Sequence, residues 1–121
     1  LSADRLPTAP SGLSTRARRL WRAVVGEYEL AASELEVLNQ ALGCLDRADQ
    51  AGAVVTAEGV TVLDRYGTPK AHPAADVEAR NRALFAAMVR QLGIKVTDGS
   101  PRSRRAKPGP KPRSARIREE P

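Results

Sequence analysis

Three stretches of this chain carry apolar side chains at three-to-four-residue spacing, and each is bounded by residues that start or stop helices. In the first, Leu20, Trp21, Val24, Val25 and Tyr28 recur at helical intervals, Ser14 stands where an N-cap is needed, and the helix should end between Gly26 and Leu30. The second places Leu35, Leu38, Leu42, Leu45, Ala48 and Val55 on one stripe. Ser33 and Glu36 have the S-x-x-E spacing of a capping box, and Gly59 offers a left-handed stop. That is about six or seven turns at 3.6 residues each. Gly43 and Gly52 interrupt it; each costs about 0.5 to 1 kcal/mol relative to Ala, so a close approach by a neighbouring helix is expected there. The third stripe is Val77, Leu84, Phe85, Met88, Val89 and Leu92, with Pro73 at its start, Gly93 at its stop and Ile94 placed to fold back.

Between the second and third helices the period changes. Val60-Thr61-Val62-Leu63, Asp64-Arg65-Tyr66-Gly67 and Thr68-Pro69-Lys70 read as strand, turn and second extended piece, hence a small β-hairpin. The fold class is therefore mainly α: a three-helix domain with a long central helix, a hairpin between helices two and three, and a disordered basic C-terminal tail. Residues 1–12, with Pro7, Pro10 and Gly12, lack periodicity and read as a flexible N-terminal arm. Residues 13–96 form the helical domain, with Trp21, Leu38, Leu42, Leu45 and Phe85 in its core. Residues 97–121 form the tail, where no apolar side chain larger than Ala occurs before Ile117.

Composition sharpens this picture. Among 121 residues only Trp21, Tyr28, Tyr66 and Phe85 are aromatic, so the core is built from Ala, Leu and Val, and a domain of this size gains from association with further copies. The single Cys44 excludes an intramolecular disulfide and any Cys-rich metal site, and no apolar run reaches the roughly 18 residues of a membrane helix.

The net charge of +6 is unevenly placed. From Asp98 to Pro121 the chain holds Arg102, Arg104, Arg105, Lys107, Lys111, Arg113, Arg116 and Arg118 against three acidic side chains. Such a segment can follow a phosphate backbone, each neutralised phosphate adding about 0.9 to the slope of log affinity against log salt. Its Lys107–Arg113 piece loosely resembles an AT-hook, with Lys and Pro replacing residues of the Arg-Gly-Arg-Pro core. Arg16, Arg18, Arg19 and Arg22 give helix one a second basic flank, Arg18 and Arg22 on one face and Arg16 and Arg19 on another.

Signatures of catalysis are missing: there is no phosphate loop, no G-x-S-x-G elbow and no H-E-x-x-H. The lone His72, before Pro73, reads as a turn or cap residue, and Cys44 as a buried thiol. Asp46, Asp49, Glu58 and Asp64 read as solvated or salt-bridging carboxylates rather than a two-metal site. The sequence thus points away from an enzyme and implies no cofactor.

The order Leu20-Trp21-Arg22, Glu27-Tyr28, Leu45-Asp46-Arg47, Asp64-Arg65-Tyr66-Gly67, His72-Pro73, Glu78-Ala79-Arg80 and Leu92-Gly93 resembles the small-subunit family of tailed-phage terminases over about residues 13 to 95. That resemblance implies a non-catalytic homo-oligomer, a ring, in the host cytoplasm. It would bind double-stranded viral DNA and deliver it to a terminase large subunit carrying the ATPase and nuclease, gathering many basic tails on one duplex. The other reading of the same residues is a small DNA-binding regulator or nucleoid-type protein acting as a dimer.

Overall fold

In the computed structural model, residues 6–96 and 110–113 are described. The elements run α1 (Thr15–Glu27), β1 (Tyr28–Glu29), α2 (Ala32–Glu58), β2 (Thr61–Leu63), β3 (Pro69–Ala71), α3 (Pro73–Leu92) and β4 (Lys111–Pro112). The mainly α class, the long central helix and the hairpin between α2 and α3 are as the pattern predicts. Among the described residues no helix is long and apolar enough to cross a membrane.

Local chemistry sets the ends of α1. Ser14 Oγ accepts the Ala17 N–H at 3.0 Å, satisfying a first-turn donor, while the backbone N–H and hydroxyl of Ser14 both donate to the Asp46 carboxylate at 2.8 and 2.5 Å. One residue therefore caps α1 and ties it to α2. The helix closes where Tyr28 turns extended and its N–H reaches the Val24 carbonyl.

The start of α2 differs from expectation. It begins at Ala32, one residue before the S-x-x-E segment, with Ala31 at the N-cap and Glu34 Oε1 accepting the Ala31 N–H at 2.7 Å. Glu34, not Glu36, reaches back to the orphan donor, which leaves Ser33 inside the first turn and Glu36 accepting from Gln40 at 3.4 Å. At the far end Gly59 has φ 90° and ψ 159°, a positive-φ exit with extended ψ rather than a left-handed helical one.

Helices α2 and α3 run antiparallel, since Asp49 meets Arg82 and Arg47 meets Asn81 while Gly52 lies against Glu78. A Cβ at position 52 would fall 2.8 Å from Glu78 Oε2, the end of a flexible side chain, so this glycine makes room for the Glu78–Arg82 ion pair rather than for a close approach of the α3 backbone. Gly43 has no such neighbour; only Arg47 of the same helix comes near. Gly93 ends α3 in the left-handed region, φ 73°, ψ 24°, its N–H serving the carbonyls of Val89 and Arg90.

The core lies at one end of the long helix pair. Ala17, Trp21, Val24, Val25 and Tyr28 of the first segment pack with Leu38, Leu42 and Leu45 of α2 and with Leu92 and Ile94 at the end of α3. Beyond Ala51 no residue of α2 is buried, and in α3 only Asn81 and Leu92 are. The apolar stripe expected on α3 is thus only partly covered. Phe85, Met88 and Val89 are half-buried, while Val77 and Leu84 remain 38% and 44% exposed. The physical reason is that α1, 13 residues long, covers only part of the 27-residue α2. The distal halves of α2 and α3, joined by the hairpin, form an arm without an apolar core of its own.

That arm is pinned by polar contacts. His72 caps α3, its Nδ1 accepting the Ala74 N–H at 3.0 Å, while its Nε2 meets Glu58 at 2.8 Å and joins the end of α2 to the start of α3. In the turn of the hairpin Asp64 Oδ1 accepts the N–H groups of Tyr66 and Thr68. The strands pair Thr61 with Ala71, Val62 with Lys70 and Leu63 with Pro69.

Short segments at both ends of the described chain lie against the helical body. Residues 6–12 do not stand free: Trp21 Nε1 donates to the Pro7 carbonyl at 3.1 Å, and Ala9 packs against the core. Within the basic tail, residues 110–113 are the part described. Lys111 pairs with Glu29 and Pro112 with Tyr28 as an antiparallel strand, and Pro110 is buried. Residues 1–5, 97–109 and 114–121 lie outside the described residues.

Candidate nucleic-acid interface

Four arginines project from α1, and their surroundings divide them. Arg16 forms an ion pair with Asp49 of α2, which also meets Arg82 of α3 at 3.3 Å; Arg82 in turn holds Glu78 at 2.8 Å. This chain of alternating charges crosses all three helices, so Arg16 is engaged in the fold. Burial alone would raise the Asp49 pKa, but hydrogen bonds and charges from Arg16 and then Arg82 outweigh it, and the carboxyl is held below its ordinary value. The contribution of this carboxylate to stability is therefore complete above its unfolded pKa of about 3.9 and is lost as pH falls through the lower folded value. Asp49→Asn should destabilise the domain by about 1 kcal/mol at pH 7, and the gap between variant and parent should close in thermal melts as pH falls below the ordinary carboxylate range.

Arg18 and Arg22 stand one turn apart on a single face of α1 and line the same groove, about 380 Å³, whose opposite wall is the segment from Leu6 to Ala9. One Arg18 nitrogen is anchored to the Leu13 carbonyl at 2.6 Å, which fixes the half-buried side chain. Arg22 and Arg19 are exposed. Neither makes an ion pair or hydrogen bond among the described residues. Arg18 and Arg22 thus face one groove, whose other wall is an N-terminal segment that no local pattern of residues places there.

The end of α1 recruits a cation from far along the chain. Its last turn has no basic residue of its own, yet helix ends leave carbonyls unpaired and partially negative. Arg113 Nε donates to the Val25 carbonyl, filling that role from 88 residues away. Of the tail cations named above, Lys111 and Arg113 are the two placed; Lys111 takes part through its backbone in β4. Arg102, Arg104, Arg105, Lys107, Arg116 and Arg118 lie outside the described residues.

The acidic side chains are occupied structurally. Asp46 holds the start of α1, Asp49 bridges two arginines, Glu58 holds His72 and Asp64 closes the hairpin turn. Among the described residues no group of three His, Cys, Asp or Glu side chains is placed to hold a metal ion. Cys44 is a buried free thiol with Arg47 3.5 Å from its sulfur.

The two ends of the molecule thus differ in surface chemistry. Along α1 four arginines face one acid, Glu27, whereas residues 52–82 of the arm carry four acidic and four basic side chains. On that neutral arm Val54, Val60, Leu63, Tyr66 and Val77 are exposed, Tyr66 to 80% with Arg65 stacked 5.5 Å from its ring centre. Comparison with protein-family models, with curated proteins and with solved structures finds no match to this chain.

Proposed function

We propose that this chain is a non-catalytic, oligomeric DNA-binding protein of the terminase small-subunit kind, which presents double-stranded viral DNA to a large ATPase and nuclease subunit. The observation that carries the reading is the one-sided placement of unengaged cations. Arg19 and Arg22 lie exposed on α1 and Arg18 lines a groove beside them, Glu27 is the single acid of that helix, and the facing α2 acids Asp46 and Asp49 are committed to Ser14 and to Arg16 and Arg82. Exposed guanidinium groups on a rigid helix suit a phosphate backbone, and the basic tail adds further contacts of the same kind.

Self-association is assigned to the opposite end. The arm exposes large apolar side chains that a monomer leaves in water, and its balanced charge lets identical surfaces meet without net repulsion. The occupant of this face is a second copy of the chain. Many copies would present many cationic flanks to one duplex, multiplying weak contacts.

Light scattering on the full chain, with and without duplex DNA, tests this reading. The expected result is an assembly larger than a dimer whose size falls in the double variant Leu63→Asp and Tyr66→Asp, with helical content unchanged. A stable dimer in both samples would favour the regulator reading, and a monomer unaffected by the substitutions would refute self-association through the arm.

A further inference from the structure

The docked piece of the tail changes what the basic flank of α1 can hold. Positions 18, 22 and 25 of a helix fall within about 60° of one another and rise about 1.5 Å per residue, so Arg18, Arg22 and Val25 form one stripe along α1. Arg18, Arg22 and Val25 all line the groove, and Arg113 is bonded to the Val25 carbonyl, which points toward the C-terminal end of the helix. The guanidinium of Arg113 therefore continues the stripe roughly one turn beyond Arg22. Three cations from two distant parts of the sequence are set in a row.

From this row we infer a composite phosphate-binding site made by Arg18, Arg22 and a docked Arg113, in which the tail acts as a placed structural part and not only as a loose polycation. The inference rests on the DNA-binding reading above and gives it a location.

Two features support assembly in this order. The chain leaves the body at Lys95, whose N–H donates to the Tyr28 hydroxyl at 3.3 Å, and returns to the same residue when Pro112 pairs with Tyr28. The strand register, Tyr28 with Pro112 and Glu29 with Lys111, also fixes the backbone of residue 113 beside the end of α1. What remains along the stripe is an excess of like charge. Placing three guanidinium groups in a row is unfavourable for the free protein and becomes favourable when phosphate oxygens lie between them.

The ligand class is a phosphodiester backbone, which supplies anionic oxygens in a row. A rigid row differs from a flexible polycation in its sensitivity to position at constant charge. The test is accordingly a charge-conserving exchange in the full chain, Arg113→Ser together with Ser114→Arg, compared with the parent and with Arg113→Ser alone. Binding of a duplex of about two helical turns is followed across a salt series. The expected result is that the exchange lowers the log–log salt slope by about 0.9, as one lost phosphate contact does, and weakens binding as much as Arg113→Ser. Unchanged far-ultraviolet circular dichroism in all three would show that the body is intact. An exchange variant that binds like the parent overturns the inference while leaving DNA binding by the chain in place.

If the parent itself fails to bind duplex, inorganic pyrophosphate titrated into the full chain decides the site separately. Joint movement of the Arg18, Arg22 and Arg113 Nε–H resonances supports the row as a general phosphate site, and no movement overturns it.

Discussion

Removing residues 98–121 will weaken duplex binding by orders of magnitude at moderate salt, flatten its salt dependence and leave the size of the assembly unchanged. The deleted segment holds eight basic side chains against three acidic ones, so nearly all of the chain's +6 excess goes with it. If about four of those cations contact phosphates, the slope of log affinity against log salt falls by about 3.6. The truncation also removes β4 and the Arg113 hydrogen bond to Val25, leaving a helix end uncapped at a cost of about 0.3 to 1 kcal/mol. A small loss of melting temperature should therefore accompany the large loss of affinity. The arm is untouched by the deletion. Equal binding curves for the truncated and complete chains would remove the tail from the mechanism, and a change of assembly size would move self-association away from the arm.

The second large effect is on stability. Leu42 is fully buried on α2 with Leu38 and Leu45, at the point where α1 and the end of α3 converge. Leu42→Ala removes buried methyl groups and leaves a cavity in the core cluster, a loss of about 2 to 5 kcal/mol. Small domains hold about 5 to 15 kcal/mol in total, and with so little aromatic surface this one belongs toward the low end. The variant should melt at least about 10 °C lower. By contrast Leu63→Ala, at a site 67% exposed, should shift stability by no more than about 0.5 kcal/mol. Urea unfolding of both variants measures the difference, and equal midpoints would contradict the placement of the core.

The elements most legible in the sequence are those fixed by neighbours close in the chain. Ser14 beside an apolar stripe, Pro73 after His72, and Gly93 before Ile94 each act over a few residues, and each holds its expected place. The start of α2 was legible only approximately, because two glutamates stand within reach of a cap and Glu34 rather than Glu36 makes the bond. Periodicity identified the apolar face of α3 but carried no information on how much of it a neighbour covers; that depends on the length of α1, and Val77 and Leu84 stay exposed in consequence.

The candidate site shows the same division. That Arg18 and Arg22 share a face follows from helix geometry alone, whereas the groove beside them requires Leu6 to Ala9 to fold back, a contact held by Trp21 and Pro7 that no period announces. The engagement of Arg16 by Asp49 depends on two helices meeting 33 positions apart. Least legible is the strand pair of Tyr28–Glu29 with Lys111–Pro112. Two-residue strands have no alternation to detect, and Pro112 argues locally against any strand, although Pro is tolerated at a sheet edge.

The proposed function requires a rigid cationic flank and a basic tail to grip a phosphate backbone together. Its most direct test is the affinity of the complete chain for duplex DNA measured as a function of salt. A steep linear fall of log affinity with log salt, of slope about −4 or steeper, is the predicted result; affinity that does not change between dilute and physiological salt, or no binding in dilute buffer, would contradict it.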